Sequence, residues 1–198
     1  MPDITTERFI MTGAKDFIMK KLNEAKTGYE TDKIQFLGLV TITATHTQTI
    51  TQLAAEDDPS FIKEKSALTA DLEIVFRGVP DENLAILTNA ITKQNGEIGY
   101  GNMEGEVPEF GIAWKKNDGK LKKQYNRVYF DMPNDNSISI GEDGDRNLTL
   151  TAHASPVTYV KTDGKTVHET FHTNKLGDSN WATVKDDVIF PDEGSTVI

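Results

Sequence analysis

Residues 68–93 read LTADLEIVFRGVPDENLAILTNAITK and contain two different hydrophobic periods. In the first half, apolar side chains stand at every second position: Leu68, Ala70, Leu72, Ile74 and Phe76. A period of two is typical of a strand with one buried face. Beyond Pro80 the apolar residues recur every three or four positions, which predicts a helix over about 80–93.

The terminal signals of this helix agree with its hydrophobic stripe. Pro80 suits the first turn, where a missing N–H breaks no hydrogen bond. Asp81 and Glu82 complement the positive end of the helix dipole, and Lys93 complements the negative end. No other segment of the sequence reads as helix so clearly, so we predict a mainly β protein with one flanking helix.

The remaining segments predict short strands joined by tight turns. Asp118-Gly119 and Asp163-Gly164 stand between alternating stretches and predict two hairpins. Strands separated by turns about every ten residues are typical of a sandwich or barrel of two packed antiparallel sheets. Residues 14–22 fit either a helix or a strand. The 198 residues show no fixed-period repeat and no linker, so we predict a single domain over 1–198.

A threonine-rich stretch predicts an extended arm. Between positions 41 and 52 every second residue is a threonine: Thr41, Thr43, Thr45, Thr47, Thr49 and Thr51. This pattern suits a strand, and beyond Ala44 the opposite face is too polar to be buried. We therefore predict a protruding polar arm over about 41–60, together with an extended N-terminal segment and a loose tail after Trp181.

Composition narrows the function classes. The formal net charge of −10 argues against a protein that grips nucleic acid by its phosphates, but not against one past which nucleic acid slides. No run of about 18 apolar residues exists, so we expect no membrane span. The N-terminal residues lack a signal-peptide pattern and the chain has no cysteine, so we expect a protein made and used in a reducing cytosol.

One segment matches a catalytic motif in sequence but not in its predicted secondary structure. The segment from His168 to His172 reads HETFH and fits the H-E-x-x-H pattern of zinc proteases, which needs a helix to place both histidines on one face. This segment follows a hairpin turn and is rich in β-formers. We therefore predict a strand, on which the two histidines would lie about 13 Å apart. A metal hydrolase is therefore the least favoured of the functions considered, and we predict no metal and no other cofactor.

No other pattern points to catalysis. Asp71 and Glu73 lie on the polar face of the predicted strand, where an acidic row facing solvent or a lumen is a simpler interpretation than a catalytic pair. His46 and His153 are isolated histidines on predicted strands, for which we expect a structural or exposed position. No serine or lysine stands in a nucleophile context. We predict that the protein is not an enzyme.

The order of the segments resembles a known family. LEIVFRGVPDENLAILT, a glycine-rich gap, PEFGIAWKKNDGKLKKQYNRVYFDMP and GEDGDRNLTLTAHASP follow one another along the chain. This succession of strand, proline and helix, an aromatic hairpin, and a Leu-Thr-Leu-Thr-Ala strand resembles the major tail protein of long-tailed bacteriophages of Gram-positive hosts. The resemblance covers about 68–156.

The resemblance implies a tail-tube fold and a structural role in the virion tail. Subunits of that family form rings, expected to be hexameric, which are assembled in the host cytoplasm and stack into a tube around a tape-measure protein. Tail-terminator proteins are further expected partners, and DNA later transits the lumen without specific binding. The candidate lumen residues are Asp71 and Glu73. The candidates for contacts between rings are the arm threonines Thr43, Thr45, Thr47, Thr49 and Thr51.

A second interpretation is a carbohydrate- or host-binding β-sandwich module of a phage or cell surface. In that case we expect Trp114, Tyr125 and Tyr129 to cluster in a shallow surface site. Electron microscopy distinguishes the two interpretations, because a tail protein forms rings or tubes and a binding module stays monomeric.

Overall fold

The computed structural model describes the backbone of residues 9–12, 14–55, 58–77, 81–88, 91–92, 98–99, 107–116, 118–132, 138–140, 146–191 and 196–197. Within these residues the chain forms seventeen strands and two short helices. The elements of the first half are β1 (Phe9–Thr12), β2 (Ala14–Leu22), β3 (Tyr29–Phe36), β4 (Leu39–Thr47), β5 (Ile50–Ala55), β6 (Asp58–Lys65), β7 (Thr69–Arg77), α1 (Asp81–Thr88), β8 (Ile91–Thr92) and β9 (Ile98–Gly99). Those of the second half are β10 (Phe110–Lys116), β11 (Leu121–Phe130), β12 (Ile138–Ile140), β13 (Arg146–Ser155), β14 (Val157–Val160), β15 (Thr166–Glu169), β16 (Phe171–Lys175), α2 (Trp181–Val184) and β17 (Thr196–Val197).

Ten of these strands form one antiparallel sheet. Eight lie side by side in the order β1-β4-β7-β13-β11-β10-β2-β3, and β12 and β16 pair with β13 and β11. β11 has β10 on one side, while its first half pairs with β16 and its second half with β13 on the other. The other strands described here form three small sheets: β15-β14-β17, β5-β6 and β8-β9.

The large sheet folds over on itself and encloses the core. The ring of Phe17 on β2 lies 5.1 Å from the ring of Phe76 on β7, although three strands separate β2 from β7 within the sheet. Phe36 on β3 contacts both rings, at 5.8 Å and 5.4 Å. Such contacts require two layers that share one core. The predicted mainly β, sandwich-like fold with a flanking helix is confirmed, and both layers belong to the same sheet.

Strand β7 shows the predicted alternation. Its inward side chains are Ala70, Leu72, Ile74 and Phe76, each at most 2% exposed. The side chains between them, including Asp71 and Glu73, face outward. Because full burial of one large apolar side chain stabilises a fold by about 1.5–3 kcal/mol, this strand anchors the centre of the sheet.

Helix α1 lies where the sequence predicts a helix but ends earlier. Ala85 and Leu87 are buried against the core, whereas Ile91 and Thr92 form strand β8 opposite β9. The prediction of a helix as far as position 93 is therefore corrected to an end at Thr88. Ile91 and Thr92 are β-branched and favour an extended backbone. Their pairing with β9 replaces the hydrogen bonds that a further helical turn would provide.

Strands β5 (Ile50–Ala55) and β6 (Asp58–Lys65) pair with each other, and we call this pair the β5–β6 arm. The arm lies between β4 and β7 along the chain, and at its base the N–H of Ser66 donates to the carbonyl of Thr49 at 2.8 Å. Within the described residues the arm pairs with no third strand. The arm predicted over 41–60 is thus displaced along the chain. Residues 41–44 pair with β1 on one side and with β7 on the other, which holds them in the main sheet.

Candidate functional site

The outer side of β4, β7, β13 and β11 presents a polar surface, which we call the open face. Directly paired residues of neighbouring strands lie on the same side of a sheet, and two rows of pairs cross this surface. The rows are Thr43, Glu73 and Thr151, and Thr45, Asp71, His153 and Tyr129. All of these side chains are exposed or half-buried, whereas their neighbours along each strand point into the core.

The open face brings together residues that the sequence assigns to separate roles. The lumen candidates Asp71 and Glu73 pair with Thr45 and Thr43, which the sequence places in the arm. The acids and the threonines therefore form one continuous surface. A threonine row beside an acidic row can offer hydroxyl groups and negative charge to whatever faces it.

The remaining arm threonines lie farther out. Thr47 pairs with Thr69 at the last rung of the β4–β7 ladder. Thr49 stands at the base of the β5–β6 arm, and Thr51 lies within β5, opposite Glu64. The five candidate threonines thus divide between the open face and the arm, because β4 and β5 follow one another along one long hairpin.

His153 joins two carboxylates on the open face. Its Nδ1 lies 2.7 Å from Oδ1 of Asp71, and its Nε2 lies 2.9 Å from Oδ2 of Asp131. Burial alone would lower the pKa of His153, but the hydrogen bonds to Asp131 and Asp71 outweigh burial and raise the pKa. The sequence provides no signal for this cluster, because the two carboxylates stand 82 and 22 positions away from the histidine.

Strand β11 carries a row of buried polar side chains that sequence reasoning missed. Nζ of Lys122 donates to Oε1 of Gln124 at 3.0 Å, and Nε2 of Gln124 donates to Oδ1 of Asn126 at 3.1 Å. All three residues are at most 1% exposed. Burial lowers the pKa of Lys122 to about 8. Neutral and charged polar groups are buried at this depth only when they are hydrogen-bonded.

The segment that covers this row is residues 186–191, which we call the strap. The side-chain amide of Gln124 binds the backbone of Ile189 at both polar groups. The N–H of Ile189 donates to Oε1 of Gln124 at 3.1 Å, and Nε2 of Gln124 donates to the carbonyl of Ile189 at 2.6 Å. Val188 of the strap is 2% exposed and packs with Ile18 and Ala113. Within the tail predicted to be loose, an apolar contact and a paired backbone hold the strap on the sheet, whereas residues 192–195 and 198 lie outside the described residues.

Lysines on three strands bind the acidic start of the strap. Nζ of Lys20 lies 2.8 Å from Oδ1 of Asp187. Lys115 donates to the carboxylate of Asp186, and Lys33 donates to the carbonyl of Asp186 at 3.1 Å. Hydrogen bonding to Lys115 lowers the pKa of Asp186, so the carboxylate stays charged at neutral pH.

Tyr29 forms the apolar wall beside the strap. Its ring lies 5.4 Å from the ring of Phe190, and its hydroxyl donates to the carbonyl of Asn126 at 2.6 Å. Burial raises the pKa of the Tyr29 hydroxyl. A Cβ atom at Gly111 would lie 2.4 Å from the Tyr29 ring. Glycine at this position is what allows the ring to lie so close to the backbone of β10.

The aromatic residues proposed for a carbohydrate site do not form one. Trp114 and Tyr125 are 2% and 0% exposed, and their rings stack inside the molecule at 5.7 Å. Tyr125 also shares a hydrogen bond of 3.0 Å with His46. Tyr129 is at the surface, on the open face. The expectation fails because this half of β11 is covered on both faces, so that alternation does not separate inside from outside.

The two histidines of the HETFH segment have separate partners. Nδ1 of His168 on β15 lies 2.9 Å from the hydroxyl of Thr158, and Nδ1 of His172 on β16 lies 2.8 Å from Oε1 of Glu169. Thr170 separates the two strands. In the part of the chain that the structure describes, no group of three or more histidine and acidic residues could hold a metal ion.

Comparisons with protein families and with curated proteins identify no relative of this chain. No protein-family model matches this chain, and no curated protein matches it significantly. The resemblance to phage tail proteins therefore rests on the segments quoted above. Among the described residues, neither helix is long and apolar enough to span a bilayer.

Proposed function

We propose that this chain is a structural subunit that assembles with copies of itself into rings, and that stacked rings form the tail tube of a phage virion. Hexameric rings, a tape-measure protein inside the tube and tail-terminator proteins at its end follow from the resemblance. The observation that carries the proposal is the β5–β6 arm, which extends from the main sheet and is paired only with itself among the described strands.

The arm has the properties of a contact element. Strand β6 has eight residues and spans about 26 Å at ~3.3 Å per residue. A two-stranded hairpin is marginally stable by itself in water, and its free edges tend to pair with other strands. Contact with a neighbouring subunit stabilises such a hairpin and covers its edges.

The open face suits the lining of a channel for DNA. DNA carries about one negative charge per 1.7 Å, so a basic wall would bind it and an acidic wall keeps it away. Asp71 and Glu73 supply negative charge on the open face, and the threonines beside them are polar and uncharged. Because salt screens charges over about 8 Å at physiological ionic strength, residues at the bore surface matter far more than the net charge of the ring.

Electron microscopy of the purified protein tests the proposal together with an armless variant. In that variant Asn-Gly replaces residues 50–65 and joins Thr49 to Ser66, which are already hydrogen-bonded across the hairpin. We expect rings or tubes from the wild type. The armless variant should fold, with a melting temperature close to that of the wild type, and should remain a monomer. A wild type that stays monomeric, or an armless variant that builds tubes, contradicts the proposal.

A charge reversal tests the role of the open face in assembled tails. Glu73→Lys adds a positive charge to that face, and Glu73→Gln is the matched neutral control. We expect normal tubes in both cases, and slower DNA ejection for Glu73→Lys that high salt relieves. Intact tubes with unchanged ejection would place the open face outside the lumen.

A further inference from the structure

The surface beneath the strap is a built groove for a segment that begins with two acidic residues and continues with apolar ones. We call it the strap groove and define it by Lys20, Tyr29, Ala113, Lys115 and Gln124. It offers an apolar floor for Val188, an amide that binds the backbone of Ile189 as a neighbouring strand would, and lysines for Asp186 and Asp187. Together these features recognise the sequence Asp-Asp-apolar-apolar, with the two acids in the turn that follows α2 and the apolar pair after it.

The strap groove needs an acidic occupant. Lys20 and Lys115 are 15% and 14% exposed in their side chains, and Lys122 lies buried behind Gln124. Without Asp186 and Asp187, Lys20 would lose its carboxylate partner, and Lys115 would keep Asp16, at 3.2 Å, as its acidic partner among the described residues. The partly desolvated site would then hold more positive than negative charge. The groove is therefore expected to be filled at all times, either by the strap of its own chain or by an equivalent segment.

The link between the strap and the rest of the chain is weakly held. Residues 176–180 are all exposed, and Leu176 is 60% exposed although it is a large apolar residue. Helix α2 has four residues, and its N-cap residue Asn180 makes no side-chain capping hydrogen bond. Val184 is the buried residue of that helix. The hydrogen bonds of the link are mostly local, such as those from the N–H of Asp178 to Lys175 and from the N–H of Trp181 to Asp178, while the N–H of Leu176 donates to the carbonyl of Lys120 at 2.8 Å. A link held mainly by local hydrogen bonds can take another path at a small cost in free energy.

We propose that the strap groove is an exchange site that the chain's own strap fills in the monomer and the strap of a second copy fills in the assembled ring. This inference rests on the proposed function, since it names the contact by which neighbouring subunits are joined. Strand β17, which follows the strap and pairs with β14, moves with it.

Exchange costs little because it replaces each contact by an identical one. The groove of every copy presents the same lysines, the same amide and the same apolar floor, so the strap of a second copy binds as the own strap does. Within a ring the neighbouring strap is tethered close to the groove, and its effective concentration is then of millimolar order. Each subunit gives one strap and receives one, which is a head-to-tail arrangement that a ring can close.

Disulfide trapping between different chains tests the proposal, and the protein has no cysteine of its own. Ile18→Cys places a thiol in the groove and Val188→Cys places one in the strap, at two residues of one apolar cluster. We expect the two single variants, mixed, co-assembled and oxidised, to form a disulfide between different chains. The double variant at high dilution should form it within one chain, which shows that the geometry permits the bond.

A matched control uses two residues of the body. Ile18→Cys mixed with Ala113→Cys should give no product between chains, because these residues pair across β2 and β10 of one copy. If the assembled mixture of Ile18→Cys and Val188→Cys also gives only background, while the dilute double variant forms its disulfide, strap exchange is overturned and ring formation is not. A wild type that forms no ring under the same conditions overturns the proposed function itself.

A charge swap gives a second test that needs no cysteine. Lys20→Asp and Asp187→Lys each place like charges together in every copy, and we expect either variant alone to lose assembly. If straps are exchanged, mixing the two variants restores assembly, because in an alternating ring the groove of each variant receives the strap of the other. The Lys20→Asp groove then holds the Asp187→Lys strap, and the remaining grooves and straps form the wild-type pair of opposite charges. If each strap stays on its own chain, the mixture stays as defective as the single variants, and the proposal fails.

Discussion

Strands β7 and β11 both lie inside the large sheet, but β7 buries one face and β11 buries two. In β7 the inward residues are apolar and the outward residues are polar and accessible. In β11 the five residues 122–126 are all buried, and most of them are polar. The difference arises because the strap covers the outer side of β11 around Gln124, in the first half of the strand, whereas nothing among the described elements covers the outer side of β7.

This comparison shows two ways to stabilise a strand. β7 depends on apolar burial on one side and leaves the other side free for contact with solvent or another molecule. β11 depends on a second layer, in which the polar groups of Gln124 and Asn126 are hydrogen-bonded rather than hydrated. One outer side of the same sheet is therefore accessible, at the open face, and another is covered, at the strap groove. Four substitutions test this difference.

Phe76→Ala should have the largest effect, since Phe76 is fully buried between the layers and touches two other phenylalanine rings. We expect a loss of about 3–5 kcal/mol in the free energy of unfolding, measured by urea denaturation. Glu73→Ala on the opposite side of the same strand is the matched control and should change stability by less than about 0.5 kcal/mol. Similar losses for the two variants would contradict the one-sided burial of β7.

Lys122→Met tests the cost of burying an ammonium group under the strap. The pKa of Lys122 is about 8 in the folded protein and 10.5 ordinarily, so the unfolded chain binds more protons between these values. Wild-type stability should therefore rise with pH across that window, on the order of 2–3 kcal/mol from this lysine, and the variant should lack the rise.

The measurement for Lys122 is the difference in unfolding free energy between wild type and variant, from urea denaturation at pH 7 and at pH 10. Taking the difference cancels the groups that both proteins share, including Lys123. A difference that does not change with pH would mean that Lys122 is hydrated, and that the strap does not seal β11.

Gly111→Ala should push the Tyr29 ring off β10, since a Cβ atom there would lie 2.4 Å from the ring. We expect a loss of about 1–3 kcal/mol, as for other overpacked sites. In a double-mutant cycle, the loss of stability in the variant that carries both Gly111→Ala and Tyr29→Ala should be much smaller than the sum of the two single losses, because removing the ring removes the clash. Additive losses would show that Gly111 is needed for another reason.

His153→Gln should have the smallest effect, because the imidazole is one-third exposed. Its pKa is raised in the folded protein by Asp131 and Asp71. The stabilisation is therefore complete below the ordinary pKa of about 6.5 and is lost as the pH rises through the folded pKa. We expect the melting temperature of the wild type to exceed that of the variant at pH 5.5 and to match it at pH 9. A constant difference would exclude a contribution from protonation.

The sequence predicts those parts of the fold in which a single hydrophobic period within the segment decides between helix and strand. Residues 69–77 alternate strictly, and only one register of such a strand buries its apolar side. Residues 14–22 fit both a helix and a strand, and β10 and β3 decide the matter by pairing with them on either side. The helix predicted to position 93 ends at Thr88 for a similar reason, because β9 pairs with Ile91 and Thr92.

For the candidate surfaces, too, local patterns predict single residues and the tertiary structure decides which residues meet. The polar side of one predicted strand contains Asp71 and Glu73, and the alternation in another predicts the row of threonines on β4. Their meeting on the open face depends on the register between β4 and β7. The second interpretation places the aromatic residues of β10 and β11 at the surface, but Trp114 and Tyr125 lie in the core. Nothing local shows that Tyr125 faces His46 and Phe171, which stand 79 and 46 positions away.

The sequence by itself thus determined the mainly β class, the central strand and the place of one flanking helix, because periodicity and terminal signals act within about ten residues. Only the tertiary structure decided the end of that helix, the base of the β5–β6 arm, the His153 cluster and the docking of the strap. Each of these depends on contacts between residues far apart in the chain. Such contacts form when the folded sheet brings distant strands together, and no short pattern in the sequence records them.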